Sequence, residues 1–389
     1  MSGRYLFTSS SNMRGHPDKL CDRISDALVD SALTIDVEGR ISAETAAAGQ
    51  VIFVTTEARL RGEIDVTGIV RRTIGETGYD PRDLDPDRCV VLAQTSVMSP
   101  PWVTQSPEPS SVVFPAIEQA TVFGYACSET PERMPLPIRL AHQIAGRLDQ
   151  LCIDSEIPSL GPDGSVAVTV EYADHQPVRV DAIVMQLLHH GSEDFLRDAV
   201  RARAVEPILM NHQVRGDSRT RTIVNAEGPL IVGGPARDAG HTGRKQASDT
   251  YGGASRRGDG ALSGKDPSRI DRSATYAARH VATNVVAAGL ATECEVMLSY
   301  AIGDVEPATI SARTFGTGTI PDEKLSETIQ QVFDLRPAAI AQRLRLWTLP
   351  KERDGRFYRD LAVGGHFGRP EMRLPWEELD AVEELRAHS

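Results

Sequence analysis

The sequence predicts an α+β fold built from three structurally similar α/β domains. The chain has 389 residues, enough for two or three domains of ~100–200 residues each. Three strand–turn–strand patterns follow one another at intervals of roughly 120 residues, and each has a helical pattern nearby. We expect an N-terminal domain over residues 1–112, a central domain over 113–232 and a C-terminal domain over 233–389.

The first unit begins with a helix. From Pro17 to Leu33 the apolar residues recur at helical spacing, and proline is favoured at a first helical position. The stretch "AETAAAGQVIFVTTEAR" then has the pattern of strand, turn and strand around Gly49. A second helix is expected near residues 66–75.

The second and third units repeat this pattern. Strand pairs are predicted over residues 165–189 and 293–315, with helices over 137–151, 195–208 and 273–288. Residues 96–115 contain five prolines and five serines, too many for a regular element. A loop of this length is either a lid over a site or a linker, and the composition leaves both open.

The charge balance excludes some classes of function. With 54 acidic against 42 basic residues the net charge is −12, which argues against a nucleic-acid binder and against binding to anionic membranes. The five cysteines form no C-x-x-C pair, which fits a reducing cytoplasm. There is no signal-peptide pattern and no apolar run near the ~18 residues of a membrane span. We therefore expect a cytoplasmic protein.

An anion would have to bind in a local basic pocket, and the glycine-rich segment over residues 233–264 is the best candidate. Glycines let the backbone approach a ligand closely, and Arg244, Lys245 and Lys265 supply cations. The stretch "GDGALSGKDPSRIDRS" does not fit a P-loop, because only three residues separate its glycine from the Gly-Lys pair and an aspartate follows the lysine. We interpret the segment as a polyphosphate site of another design, with a solvated surface loop as the alternative.

A polyphosphate needs a hard cation, and Mg²⁺ is typically held by one or two carboxylates together with phosphate oxygens and waters. Asp18 in "GHPDK" and Asp271 in "SRIDRS" each stand near a basic residue at a predicted helix start. Asp271 would serve equally well as a helix N-cap, and His16 as an ordinary hydrogen-bonding side chain. The residues alone leave these alternatives open.

Several segments closely resemble, in the same order, signature segments of the S-adenosylmethionine synthetases (methionine adenosyltransferases). They are "GHPDKLCDRISDAL", "VFGYACSET", "VGGPARDAGHTGRKQASDTYGG", "GDGALSGKDPSRIDRSATYAAR", "NVVAAGLA", "SYAIG" and "GGHFGR". The resemblance implies three domains in a pseudo-threefold arrangement, in a homodimer or dimer of dimers with active sites between two subunits. It also implies that the sulfur of L-methionine attacks C5′ of ATP, and that the expelled triphosphate is hydrolysed to pyrophosphate and phosphate. Two Mg²⁺ ions per site and K⁺ would assist.

The resemblance also implies roles for individual positions. The catalytic residues around the triphosphate would be His16, Lys19, Arg244, Lys245 and Lys265. Further contacts to ATP would come from Asp163, Asp238 and Ala261. The acceptor would be bound by Glu57, Met98, Glu118, Asp238, Arg269 and Ile302. The metal ligands would be Asp18 and Asp271 for Mg²⁺ and Glu44 for K⁺.

The chain departs from the family pattern around the acceptor and around the adenine. On the acceptor side the family has glutamine, aspartate, aspartate and lysine where this chain has Met98, Pro101, Glu118 and Arg269. On the nucleotide side it has lysine and an Arg-Phe pair where this chain has Ser165, Pro229 and Leu230. A leucine can bury area against adenine but offers no aromatic stack. These departures put the acceptor and nucleotide specificities in question.

Three functions are therefore weighed. The first is adenosyl transfer from ATP to methionine, and the second is a paralogue with another acceptor or nucleotide, or one that only cleaves triphosphate. The third is a non-catalytic regulatory subunit, which would not need to keep its charged residues, whereas His16, Asp18, Lys265 and Asp271 are all present. We favour the first function.

Overall fold

A computed structural model describes residues 3–98 and 114–389. Within these ranges the strands are β1 (Arg4–Asn12), β2 (Arg40–Ala48), β3 (Val51–Arg59), β4 (Val90–Val97), β5 (Ala120–Cys127), β6 (Leu160–Ala173), β7 (Gln176–His189), β8 (Gly216–Val224), β9 (Gly240–His241), β10 (Glu293–Tyr300) and β11 (Thr309–Arg313). None of the described helices is long and apolar enough to cross a membrane.

The α-helices vary from four to nineteen residues. They are α1 (Pro17–Ile35), α2 (Val66–Thr77), α3 (Leu136–Ile153), α4 (Glu193–Val200), α5 (Glu206–Met210), α6 (Gln246–Asp249), α7 (Ile270–Ala287), α8 (Asp322–Val332), α9 (Pro337–Arg343), α10 (Leu349–Glu352), α11 (Phe357–Leu361) and α12 (Val382–His388). Three short 3₁₀ turns and one π-helical turn complete the described elements.

The strands form three sheets, and each sheet includes a strand from a distant part of the chain. The first has the order β4-β3-β2-β9, the second β1-β6-β7-β8 and the third β11-β10-β5. Strand β1 pairs antiparallel with β6, so that Arg4 lies opposite Ala173 and Asn12 opposite Ser165. Because β9 likewise joins β2 and β5 joins β10, the three units are interlocked rather than merely adjacent.

Each sheet is covered on one face by a long helix. Leu20, Ile24 and Leu28 of α1 are fully buried in a core that α1 and α7 share with the first and third sheets. Helix α3 packs with the second sheet in a separate core. Burying a leucine or isoleucine side chain contributes roughly 1.5–3 kcal/mol, so these helix faces hold the layers together.

The predicted α+β class and its three strand pairs are confirmed, as are the helices predicted over 17–33, 66–75, 137–151 and 273–288. The helix predicted over 195–208 is divided into α4, a π-helical turn over Arg201–Val205 and α5. Pro207 has no N–H to donate to the carbonyl of Arg203, and the side chain of Arg147 donates to that carbonyl instead, at 3.2 Å. The domain boundaries remain predictions, and most of the segment 96–115 lies outside the described residues.

Candidate active site

Four aspartates on α1 organise the candidate site. Asp18, Asp22, Asp26 and Asp30 are all buried, and their spacing of four residues places them on one face of the helix. Each accepts a hydrogen bond from a backbone amide in the C-terminal part of the chain. The donors are, in order, His241 at 2.9 Å, Gly243 at 2.8 Å, Gly264 at 2.8 Å and Tyr358 at 2.9 Å.

This row of carboxylates fixes the two basic glycine-rich stretches against the helix. Hydrogen bonds from backbone N–H groups to a carboxylate are stronger than those between neutral groups. Asp22 and Asp26 lie within the segment "GHPDKLCDRISDAL", but no role was predicted for them or for Asp30. Their signal in the sequence is the four-residue spacing, because aspartates repeated on one face of a helix that also buries Leu20, Ile24 and Leu28 need partners.

The first cluster of predicted site residues surrounds the N-terminus of α1. The carboxylate of Asp18 is bonded by the ammonium of Lys245, and Nη1 of Arg244 lies 3.6 Å from Asp18 Oδ1. These hydrogen bonds and charges hold the pKa of Asp18 below its usual value, against the opposing effect of burial. Gly240 lies against the backbone of Pro17, where a Cβ atom would be 2.2 Å from the carbonyl oxygen. Only glycine allows this approach.

His16 is the N-cap of α1 and belongs to the same cluster. Its Nδ1 accepts a hydrogen bond from the amide of Asp18 at 3.2 Å. Burial, followed by the charge of Lys245, lowers the pKa of His16 to about 4. The imidazole is therefore neutral near pH 7, and because Nδ1 accepts, the proton is assigned to Nε2. His16 can donate a hydrogen bond to an anion at the helix N-terminus.

Lys19, also predicted to contact the triphosphate, lies beneath this cluster. Its ammonium is buried between the carboxylates of Asp22, at 2.7 Å, and Asp249, at 2.5 Å. Burial alone would lower the pKa of Lys19, but the two carboxylates raise it. The position of Lys19 is that of a cation which neutralises the aspartate row, and its predicted contact with triphosphate remains a prediction.

The second cluster surrounds the N-terminus of α7. Lys265 is bonded to Asp271, and Gly260 passes so close that a Cβ atom there would lie 1.9 Å from Asp271 Oδ2. The backbone carbonyl of Gly264 accepts from the amide of Ala43 at 2.8 Å. Gly264 has φ of +81°, a left-handed conformation that favours glycine.

The predicted acceptor residues Glu118 and Arg269 also meet in this second cluster. Nη1 of Arg269 lies 3.3 Å from Oε2 of Glu118, and the amide of Asp271 donates to Oε1 of Glu118 at 3.2 Å. Nε of Arg269 is buried and has no hydrogen-bond partner among the described residues. A ligand could therefore reach this nitrogen only if the Arg269 side chain turned.

Both clusters lie along β2. His241 pairs with Ala46, and Lys265 forms an isolated bridge with Ser42. Ser42 and Ala46 lie four positions apart on β2, a distance of ~13 Å. Ala261, a predicted ATP contact, approaches Gly243, whose Cβ would lie 2.4 Å from Cβ of Ala261. The tertiary structure thus joins the two basic stretches into one surface.

The remaining nucleotide contacts predicted from the sequence lie around the turn at Gly234. Asp163 is buried and accepts from the amide of Gly234 at 2.8 Å, and burial raises its pKa to about 6. Asp238 is exposed in the following turn. Leu230 is buried and bridges to Leu188, so it does not present a free apolar surface.

The other predicted acceptor and cation ligands are more dispersed. Glu57 on β3 lies opposite Ser42 on β2, and Glu44 on β2 lies opposite Thr55. Directly opposed residues point to the same face of an antiparallel pair, so both glutamates face away from α1. The amide of Met98 donates to the carbonyl of Ala58 at 3.2 Å, and Ile302 is exposed. Pro101 lies outside the described residues.

The donor set fits a cation held mainly by a substrate. Within residues 3–98 and 114–389, no three His, Cys, Asp or Glu side chains are grouped so that they could hold a metal ion. Asp18 and Asp271 are instead single carboxylates, each beside a lysine at a helix N-terminus. A magnesium ion that keeps waters and binds phosphate oxygens needs only one such carboxylate.

Comparison with known proteins gives one consistent result. The models for the N-terminal, central and C-terminal domains of S-adenosylmethionine synthetase match residues 4–100, 114–230 and 232–378. The S-adenosylmethionine synthase of Synechocystis sp. is 45% identical over alignments covering 100% of this chain and 96% of the relative. Those of Thermosynechococcus vestitus and Nostoc punctiforme are 43% and 44% identical, each covering 99% of this chain and 98% and 96% of the relative. The chain belongs to the S-adenosylmethionine synthetase family.

Proposed function

We propose that this protein transfers the adenosyl group of ATP to the sulfur of L-methionine and then hydrolyses the triphosphate to pyrophosphate and phosphate. Family membership supports this proposal, and the observation that carries it is the aspartate row on α1. Through its hydrogen bonds to backbone amides, that row holds two basic clusters against α1. Each cluster lies beside a helix N-terminus, and both lie along β2. Helix N-termini and flanking cations favour phosphate groups.

The first step needs charge stabilisation rather than a base. A thioether sulfur has no proton to lose, so attack at C5′ forms the C–S bond while the C–O bond breaks and its electrons leave with the triphosphate. Cations that interact more strongly with the departing anion than with bound ATP lower the barrier. Lys245, Arg244 and Lys265 supply these charges, and neutral His16 donates a hydrogen bond. Alignment of the sulfur with C5′ contributes the rest of the lowering of the barrier.

Magnesium would be held by Asp18 in the first cluster and by Asp271 in the second. When bound, Mg²⁺ neutralises phosphate charge, and K⁺ at Glu44 would add a more distant positive charge. Both aspartates are now paired with lysines, so ion binding would release Lys245 and Lys265 toward the phosphates. The chain itself provides the carboxylates and the freed ammonium groups.

The acceptor pocket has its own geometry in this chain. Glu118 and Arg269 are each the longer member of their chemical class, and they contact one another. An amino acid carries an ammonium that can donate a hydrogen bond to Glu118 and a carboxylate that Arg269 can bind bidentately. Methionine is therefore the acceptor we propose. An altered acceptor is the second candidate, because Met98 offers no amide to grip the amino acid.

We further propose that two chains assemble as a homodimer, alone or within a dimer of dimers, through the outer face of the β4-β3-β2 sheet. Val51, Phe53, Val90 and Leu92 form an apolar patch there, with Phe53 45% and Leu92 51% exposed. Patches of this kind mark interaction sites. The register places Glu57 on the same face, so a second chain would cover the acceptor residues.

The direct test incubates the purified protein with ATP, Mg²⁺ and K⁺, with and without L-methionine, and quantifies S-adenosylmethionine, phosphate and pyrophosphate. We expect S-adenosylmethionine only with methionine, and equal amounts of phosphate and pyrophosphate. Triphosphate cleavage without S-adenosylmethionine would favour the altered acceptor, and no turnover of ATP would favour a regulatory subunit. Sedimentation of the wild type and of Phe53→Glu tests assembly, since the variant should be monomeric if this face is the interface.

A further inference from the structure

A second basic cavity lies apart from the candidate active site. Its volume is about 630 Å³, and it is bounded by the start of α1, one side of α3 and the segment that follows α11. None of the candidate active-site residues named above lines this cavity. Five arginines line it: Arg14, Arg23, Arg139, Arg359 and Arg369.

The positive charge of this cavity is only partly compensated. Arg139, Arg359 and Arg369 each have a carboxylate partner, at 2.8, 2.7 and 2.9 Å. In the described parts of the chain, Arg14 and Arg23 have no carboxylate within ion-pair distance. Three carboxylates also line the cavity, those of Asp149, Asp360 and Glu371. Asp360 lies 3.7 Å from Nε of Arg359 as a second partner. Asp149 accepts from the backbone amide of Arg14 at 3.1 Å, and burial raises its pKa to about 7.

Arg23 shows the cost of this arrangement. It is 8% exposed, and its Nη1 donates to the hydroxyl of Thr77 at 2.5 Å, its one hydrogen bond to a side chain among the described residues. Burial, followed by the charges of Arg359 and Arg14, lowers the pKa of Arg23 to about 10. Burying an unpaired guanidinium is unfavourable, and a fold tolerates it where a ligand supplies the counter-charge.

Several buried donors in the cavity wall also have no hydrogen-bond partner within the described ranges. They include Nε of Arg14, Nε of Arg139, Nε and Nη2 of Arg359 and Nε2 of His142. Arg359 and His142 are 6% and 5% exposed. An unsatisfied buried donor costs ~1–3 kcal/mol. These atoms are closed off from solvent, so an anion in the cavity could pair with them only after the arginine side chains turn toward it.

We infer that this cavity binds a phosphate-bearing anion, with Arg14, Arg23 and Arg359 as its principal ligands. Guanidinium groups match the oxygens of phosphate bidentately, and several converging forks require more than one negative charge in the ligand. The volume is sufficient for a pyrophosphate or a small phosphorylated metabolite. This site is independent of adenosyl transfer, because the cavity shares no residue with the two clusters along β2.

The test measures binding of inorganic pyrophosphate by titration calorimetry. The wild type is compared with Lys245→Ala/Lys265→Ala, which disables the active-site contribution. We expect this double variant to retain one pyrophosphate per chain. Adding Arg14→Gln should weaken that binding about tenfold or more, because one charge-assisted contact is lost. Arg147→Gln, on α3 but outside the cavity, should leave it unchanged.

Two further arms complete the test. Arg23→Gln should weaken pyrophosphate binding as Arg14→Gln does. Arg23 is buried, so its substitution can unfold the chain; in that case the affinity of the Arg14→Gln variant is the deciding measurement, because Arg14 is partly exposed. Succinate in place of pyrophosphate should bind much more weakly. No pyrophosphate binding in the double variant, equal binding with and without Arg14, or equal affinity for succinate would each overturn the inference.

Discussion

Nη1 of Arg269 lies 3.3 Å from Oε2 of Glu118, and both side chains differ from those that the family pattern leads one to expect. The two differences therefore meet in space and compensate one another. A longer carboxylate and a longer, forked cation form a pair that retains one negative and one positive group for an amino acid. If the two residues bind the acceptor as proposed, this pairing explains how the pocket differs in shape from the family pattern while it keeps its charges.

Shortening either partner tests that explanation. We expect Glu118→Asp and Arg269→Lys each to raise KM for methionine about threefold to tenfold, because each opens a gap across the pair. The double variant should recover part of the loss, with a coupling of at least ~0.5 kcal/mol in kcat/KM. Strictly additive effects of the two substitutions on kcat/KM would show that the side chains act separately.

Lys265→Ala should lower turnover far more than stability. Its ammonium is proposed to interact with charge that develops on the leaving triphosphate, so we expect kcat to fall by ~10²–10³. Its pair with Asp271 is mostly buried, with the two side chains 18% and 15% exposed, so we expect the substitution to cost ~1–3 kcal/mol of folding free energy, a loss that still leaves the chain folded.

The control for that variant is Lys351→Ala, an exposed lysine in α10. It should leave both kcat and the urea midpoint unchanged. If Lys265→Ala lost its activity only by unfolding, or if it retained full turnover, the role proposed for this lysine would be wrong.

Gly264→Ala should destabilise the chain more than Gly316→Ala, although both glycines have φ of +81°. A Cβ atom at 264 would lie 2.0 Å from the carbonyl oxygen of Ala43, whereas none of the described atoms outside the adjoining residues lies within 4 Å at 316. Both variants carry the cost of a left-handed alanine, ~1 kcal/mol or more. We expect at least ~2 kcal/mol of additional loss at 264 from the clash, measured by urea unfolding. Equal losses of stability in the two variants would mean that the loop at Gly264 shifts at little energetic cost to make room for the Cβ atom.

His142→Gln should change how stability depends on pH. His142 is hydrogen-bonded to Ser11 at 2.8 Å, and burial, followed by the charges of Arg369 and Arg139, lowers its pKa to about 3. The unfolded chain therefore binds a proton near pH 6.5 that the folded chain does not, so this residue's contribution is present above pH 6.5 and is lost as pH falls toward 3.

The measurement is the free energy of unfolding in urea at several values between pH 4.5 and 7.5. The wild type should lose up to ~1.4 kcal/mol per pH unit relative to His142→Gln below pH 6. Other titrating groups, such as buried Asp30 with its pKa raised to about 7, contribute to both proteins alike. Parallel pH profiles for the two proteins would contradict the assignment.

The sequence by itself determined the α+β class, the three strand pairs and most of the helices, because their signals are local. Hydrophobic period, turn residues and helix-starting prolines act within a few residues of one another. The residue patterns also suggested Asp18, Arg244, Lys245, Lys265 and Asp271 as site candidates, because each lies in a short segment of distinctive composition. The other site candidates came from the resemblance to the family.

Only the tertiary structure decided how those residues are used. The sequence does not show that β1, β5 and β9 join sheets far along the chain, because strand pairing across such distances depends on the whole packing arrangement. Nor does it show that the side chain of Lys19 is enclosed by two carboxylates and 2% exposed, whereas that of Lys265 has one carboxylate partner and is 18% exposed. The two lysines thus differ in how far their ammonium groups are buried. That burial depends on the row of aspartates on α1, which bonds to backbone amides from distant parts of the chain.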